Sequence, residues 1–199
     1  MNEELEFSAS YTLAKTFDDA SDFDEQPQNP FNLRAENAVS RQHQQQRFVF
    51  NALFDLPIGD EEDKAGKSEE STGWLTRTFS HIEMATIVTL ESGRPVNPLS
   101  GLDSNQSHAF PLSARPHLGR NSLNTPALAT MDFRVLKYFP FSGTKRLDVV
   151  AEFFNVFNSA NVSQINPVFG SDLLPINGFR QPIAATGARQ VQFSLDFEF

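Results

Sequence analysis

Val191, Phe193, Leu195, Phe197 and Phe199 alternate with Gln190, Gln192, Ser194, Asp196 and Glu198 up to the last residue. A helix would scatter these apolar side chains around its circumference; a strand places all five on one face. Leu5, Phe7, Ala9, Tyr11 and Leu13 repeat the pattern against Glu4, Glu6, Ser8, Ser10 and Thr12. Phe48, Phe50, Ala52, Phe54 and Leu56 form a third apolar row. Met131, Phe133 and Val135 form another, and Leu147, Val149, Ala151 and Phe153 a further one. Between Trp74 and Leu90 the pattern is noisier, with Ile82, Met84, Val88 and Leu90 on one parity. Six strands are predicted, at roughly 4–17, 46–56, 73–91, 130–140, 145–158 and 188–199.

The connections carry a second signal. Residues 18–45, 92–129 and 159–187 are long and rich in acidic, Gln, Pro, Ser, Asn or Gly residues. Residues 57–72 are charged and intermediate in length, and 141–144 (FSGT) form a tight turn. In an antiparallel meander alternate connections lie at opposite ends, so the three long ones share one end. Compact soluble domains rarely hold several structureless loops above about 15 residues. Membrane β-barrels do, with long loops outside and short turns in the periplasm. The predicted class is therefore all-β: an antiparallel meander of about six long strands, part of a transmembrane barrel. A soluble β-sandwich or lipocalin-like barrel also alternates its faces. Against it stand the one-sided long loops and strands longer than the typical 5–6 residues.

Composition sharpens the picture at three points. Lys and Arg number 16 against 25 Asp and Glu, a net charge of −9 that argues against a nucleic-acid partner. Cysteine is absent, which removes disulfides, thiolate zinc sites and cysteine nucleophiles. Phenylalanine numbers 20 against one Trp and two Tyr, in a chain only 39% hydrophobic. Phe and polar residues must then divide sharply by face. No stretch reaches the roughly 20 apolar residues of a membrane helix, which leaves a barrel open. The acidic start at residues 1–6 lacks the basic and apolar regions of a secretory signal. Either the protein stays in the cytoplasm or the chain is the tail of a longer precursor.

Candidate chemistry is sparse. Asp18, Asp19, Asp22, Asp24 and Glu25 could hold calcium or a cationic substrate, but lack the glycine and distal Glu of an EF-hand. A solvated loop is the expected state, as for the acidic residues 60–63. His43, His81, His108 and His117 show no metal-ligand spacing. Ser107, His108 and Asp103 lack an elbow or oxyanion context, and no phosphate-binding glycine loop is present. No enzyme activity and no cofactor is expected. Asn155 and Asn158 suit a turn capped by their side chains. Arg34 and Glu36 could pair over a barrel mouth, or their loop could be ordered by packing alone.

The chain resembles the C-terminal part of TonB-dependent outer-membrane receptors, in particular the Oar-like group with a carboxypeptidase-regulatory-like domain. The residues that carry the resemblance run in order: 10–20 (SYTLAKTFDDA), 29–36 (NPFNLRAE), 46–50 (QRFVF), 56–57 (LP), 92–95 (SGRP) and 119–123 (GRNSL). They continue with 131–134 (MDFR), 137–139 (KYF), 146–147 (RL) through 151–158 (AEFFNVFN), and 190–193 (QVQF). The resemblance implies that 1–199 is part of a receptor barrel in the outer membrane. It implies substrate uptake coupled to the TonB complex through N-terminal parts, namely a signal peptide, a TonB-contacting segment and a plug, that this sequence lacks. Six strands fall short of the usual minimum of eight, so the chain is expected to be a fragment without transport activity of its own. The partners implied are outer-membrane lipid and the barrel-assembly machinery, with Phe193, Leu195, Phe197 and Phe199 as the assembly signal. A passive porin-type barrel is the alternative, and a soluble β-domain binding through its Phe-rich face is another.

Overall fold

The computed structural model describes residues 5–23, 25, 27–56, 78–102, 118–141, 145–170 and 173–199. Its elements are β1 (Leu5–Leu13), β2 (Phe17–Asp18), β3 (Ala38–Val39), β4 (Gln46–Asp55), β5 (Ile82–Glu91), β6 (Pro95–Val96), β7 (Leu123–Asn124), β8 (Leu128–Pro140), β9 (Arg146–Phe154), β10 (Val162–Ile165), β11 (Pro182–Ala185) and β12 (Gln190–Glu198). One short 3-10 turn spans Leu33–Glu36. Six long strands form one sheet in the order β1-β4-β5-β8-β9-β12. Every neighbouring pair is antiparallel. This is the expected meander.

Register turns six separate alternations into one surface. Phe7 lies opposite Ala52, Ala52 opposite Thr86, Thr86 opposite Phe133, and Phe133 opposite Phe153. Phe153 in turn lies opposite Val191, and Ala151 opposite Phe193. Because side chains change face at every residue, a slip by one anywhere would have broken this apolar surface. None occurs in the six-stranded sheet. The opposite face carries matched polar pairs. Ser8 Oγ donates to Asn51 Oδ1 at 3.0 Å. Arg47 Nε meets Glu91 at 2.8 Å, and Arg146 Nε meets Glu198 at 2.7 Å. Both are directly opposed cross-strand pairs, each stabilising by about 0.2–1 kcal/mol.

The apolar face is left uncovered, unlike that of a water-soluble sheet. On the apolar face Phe7 is 68% and Phe193 74% exposed. Edge position explains part of this, yet Leu90 on β5 and Phe139 on β8 are also exposed. The most buried side chain of the sheet, Val150, sits on the polar face at 2% exposure, beside the buried Asp148. Lys137, on the apolar parity at one end of β8, turns its Nζ to the carbonyls of Thr78 and Ser80, both at 2.9 Å. That is how a long cation escapes an apolar surface.

Strand ends differ from the periodicity in instructive ways. β1 stops at Leu13 rather than near 17; the chain leaves the sheet, and Phe17–Asp18 pair instead with Ala38–Val39. β5 begins at Ile82, not near 73, because His81 adopts a left-handed φ of 56° that no strand continues through. Residues 57–77 lie outside the described set, and with them the expected turn 57–72 and Trp74. β9 ends at Phe154, where Asn155 takes φ 52°. The described parts of the long connections 18–45, 92–129 and 159–187 are more ordered than expected. They carry three two-stranded ribbons, β2–β3, β6–β7 and β10–β11.

Candidate functional site

The three long connections leave the sheet at one end, marked by Leu13 opposite Gln46, Glu91 opposite Leu128, and Phe154 opposite Gln190. They lock together through polar groups. Arg120 is buried at 5% exposure and belongs to the second connection. Its Nε and Nη2 donate to the two carboxylate oxygens of Glu25 at 2.9 and 2.8 Å. Its Nη1 donates to Asp18 Oδ1 at 2.7 Å and to the carbonyl of Glu36 at 3.2 Å. Nη2 also donates to Ser21 Oγ at 3.0 Å. A bidentate guanidinium–carboxylate fork of this kind fixes direction as well as charge.

Asn121 extends the junction at a left-handed φ of 53°, which asparagine tolerates. Its Nδ2 donates to the carbonyl of Val39 at 2.8 Å, and its N–H to Asn97 Oδ1 at 3.3 Å. Burial opposes ionisation of Asp18 and Glu25. Hydrogen bonds outweigh it: from Ser40, Arg120 and Ser21 to Asp18, and from Arg120 and the Ser21 N–H to Glu25. Both carboxyls are held below the ordinary carboxylate range. Burial likewise works against the Arg120 charge, but Glu25 and Asp18 outweigh it and push its pKa up.

The third connection starts at a corner built from asparagines. Asn155 Oδ1 accepts from the Ser159 N–H at 2.9 Å, and its Nδ2 donates to the carbonyls of Ser159 and Gly187. Asn158 Oδ1 accepts from the Arg189 N–H at 3.0 Å. Both caps expected at this corner are therefore present. Asn161 adds a third anchor by pairing its amide with both backbone groups of Ala129, at 3.0 and 2.9 Å.

A cleft of about 510 Å³ opens among these connections. Arg41 comes from the first connection, Arg94, Val96, Leu99 and Thr125 among others from the second, and Ile165 and Ile183 among others from the third. No lining residue belongs to the six long strands. Arg94 is fixed in place. Its N–H donates to Thr125 Oγ1 at 2.9 Å, and its carbonyl accepts from the Thr125 N–H at 3.0 Å. Its Nε donates to Gln44 Oε1 at 3.1 Å. The neighbouring Gly93 permits this approach, since a Cβ there would overlap the Thr125 carbonyl oxygen.

The acidic run is not the solvated loop its composition implied. Asp18 and Glu25 are spent on Arg120, Asp22 meets Arg41 at 3.4 Å, and Asp19 accepts from Asn37 Nδ2 at 2.9 Å. For Asp18 and Glu25, an arginine from a distant connection takes the place that water was expected to hold. Asp24 lies outside the described residues. Glu36 turns inward to the Gln28 N–H at 2.9 Å, while Arg34 is exposed. His43 is buried, its Nδ1 accepting from the Thr16 N–H at 3.3 Å. His81 packs tilted against Tyr138, ring centroids 4.6 Å apart. His108, His117, Asp103 and Ser107 lie outside the described residues, as do Glu4 and residues 60–63.

Phe193, Leu195 and Phe197 share the exposed face of β12, an edge strand, and Phe199 follows it at 88% exposure. Phe197 stacks on Phe199 at 6.1 Å and meets Phe141 at 6.3 Å. Arg120 was missed by sequence reasoning. It lies in the 119–123 segment (GRNSL) that carries the resemblance, but nothing there marks its pairing with Asp18 and Glu25.

The profile of a protein family described as "Outer membrane beta barrel domain" matches residues 1–118 and 109–192. Neither the curated proteins nor the solved structures give a match.

Proposed function

This chain belongs to the family of outer membrane β-barrel domains, and we propose that within that family it forms the C-terminal barrel part of a TonB-dependent receptor-like transporter of the Oar-like group. The outer membrane is the location its family implies. The observation that carries the barrel reading is the uncovered sheet: six strands with one apolar face turned to the surroundings and ion pairs on the other. In lipid that face is solvated by acyl chains, and the polar face lines the lumen. The receptor reading draws support from the connections. Three segments that carry the resemblance, 10–20, 29–36 and 119–123, converge on Arg120 through Asp18 and the Glu36 carbonyl.

Among the described residues, β1 and β12 each pair on one side alone. A lipid-embedded sheet cannot leave such edges open, so further strands of a larger barrel close it. Energy coupling, through a plug and the TonB complex, belongs to those other parts. Planar-bilayer recordings of the full-length protein, plug included, separate this reading from a passive porin. A receptor of this class stays closed without energy coupling; a steady ohmic conductance overturns the reading in favour of the porin.

The end that carries 18–45, 92–129 and 159–187 faces outward in this proposal, and 57–72 and 141–144 face the periplasm. Impermeant cysteine label applied to intact cells is expected to reach single cysteines placed in 92–129 and to spare those in 57–72. The opposite labelling reverses the orientation.

Phe193, Leu195, Phe197 and Phe199 form the strand read by the barrel-assembly machinery. An exposed edge strand can add to another sheet through its backbone, with alternate side chains docking in pockets. Phe199 is the anchor. Deleting it is expected to lower the yield of assembled barrel, measured by heat-modifiable migration in outer membranes, and to leave assembled molecules unaltered. Wild-type yield after the deletion removes this role and reduces Phe199 to one more interfacial aromatic.

A further inference from the structure

Resting on the outward orientation above, we propose that the cleft shared by the three long connections binds an anionic amphiphile, an apolar body carrying a carboxylate that docks on Arg94. The cleft, at about 510 Å³, lies within the size range of small-ligand sites. Its floor is apolar: Val96, Leu99, Ile165 and Ile183, with Ile165 only 5% exposed. Its charged lining residues are Arg41 and Arg94, and no carboxylate lines it among the described residues. In a chain of net charge −9 that is a local inversion of sign.

Arg94 differs from the arginines that have structural work. Arg47, Arg120 and Arg146 each meet a carboxylate within 3 Å. Arg94 makes no ion pair among the described residues, and its one side-chain bond is from Nε to the neutral Gln44. Its two Nη groups remain for a bidentate oxyanion. Its backbone is doubly bonded to Thr125, and its side chain is tethered by the one bond from Nε to Gln44. Arg41, already shared with Asp22 at 3.4 Å, adds positive potential at the same cleft. The carboxylate thus meets a tethered fork while the apolar body covers the floor.

Two sources supply this chemistry, a fatty acid and a short apolar peptide with a free C-terminus. Binding is measured on outer membranes from cells producing the protein. The probes are dodecanoate against dodecanol, and N-acetyl-trileucine against its C-terminal amide. One carboxylate probe is expected to bind saturably and its neutral counterpart about 10- to 100-fold more weakly, which also identifies the source. Arg94→Gln is expected to abolish that preference and Arg94→Lys to retain part of it. Where Arg94→Gln prevents assembly, Ile183→Glu is the second variant, and its added carboxylate is expected to weaken binding about tenfold or more. Equal binding of charged and neutral probes, no saturable binding, or full preference in an assembled Arg94→Gln or Ile183→Glu barrel overturns the proposal. Conductance of the same membranes separates the two readings. A closed barrel that binds no probe sinks the cleft alone, and an open pore that binds one sinks the transporter alone.

Discussion

Phe193→Arg is expected to destabilise the lipid-embedded barrel by about 2–4 kcal/mol, while Gln192→Arg changes it little. The two residues are neighbours on β12 and differ in face. Phe193 lies opposite Ala151, flanked on its own face by Val191 and Leu195, and is 74% exposed. An arginine there must be desolvated in hydrocarbon or distort the bilayer to reach water. Gln192 lies opposite Glu152, so an arginine in its place gains an opposite charge on the polar face. Urea unfolding of the barrel reconstituted in lipid vesicles reads both. In a soluble sheet the ranking would differ, because Phe193→Arg would replace an exposed apolar side chain in water at little cost. Equal destabilisation by the two variants refutes the assignment of faces.

The parts of this fold that were legible in the sequence are those set by local period. Side chains alternate face by geometry, so Phe193 and Gln192 declare their faces without any partner being known. Asn155 and Asn158 were legible for a related reason: asparagine closes a turn with its own side chain and tolerates positive φ. Strand ends were less so. His81 breaks the pattern at φ 56°, and nothing in the alternation from Trp74 onward marks that residue. The connections were least legible, because their order is made by distant partners. Arg120 bonds Glu25 across 95 positions and Asp18 across 102. Five acidic residues within 18–25 read as a solvated loop when the cation that pairs with two of them lies in another connection. The cleft at Arg94 depends on the same long-range assembly, since Gln44 and Thr125 come from different connections.

Arg120→Met is expected to release the junction between the first two long connections while the six-stranded sheet persists. The substitution leaves the nearly buried Glu25 carboxylate and the half-buried Asp18 without their cation, a loss of at most about 3–5 kcal/mol, the figure for a fully buried pair broken on one side. Amide hydrogen exchange resolves it. Protection at Ser21, Glu25, Ser40 and Asn121 falls, and protection along β8 and β9 stays. Adding Asp18→Asn and Glu25→Gln to Arg120→Met is expected to restore most of the loss, because the uncompensated charges are then gone. Acid gives a second reading of the same junction. Both carboxyls are held below their ordinary range in the folded state. The stabilisation they contribute is complete above the ordinary carboxylate pKa of about 4 and is lost as pH falls through the lowered folded values. Protection at the junction is therefore flat from neutral pH to about pH 5, then declines on further acidification. In Arg120→Met both folded pKa values rise relative to wild type, while Ser40 and Ser21 still hydrogen-bond Asp18 and the Ser21 N–H still bonds Glu25, so the acid limb shrinks and moves to higher pH. A smaller acid limb at higher pH in the variant supports the ion-pair account. An acid limb identical to wild type shows that Arg120 does not hold these connections together.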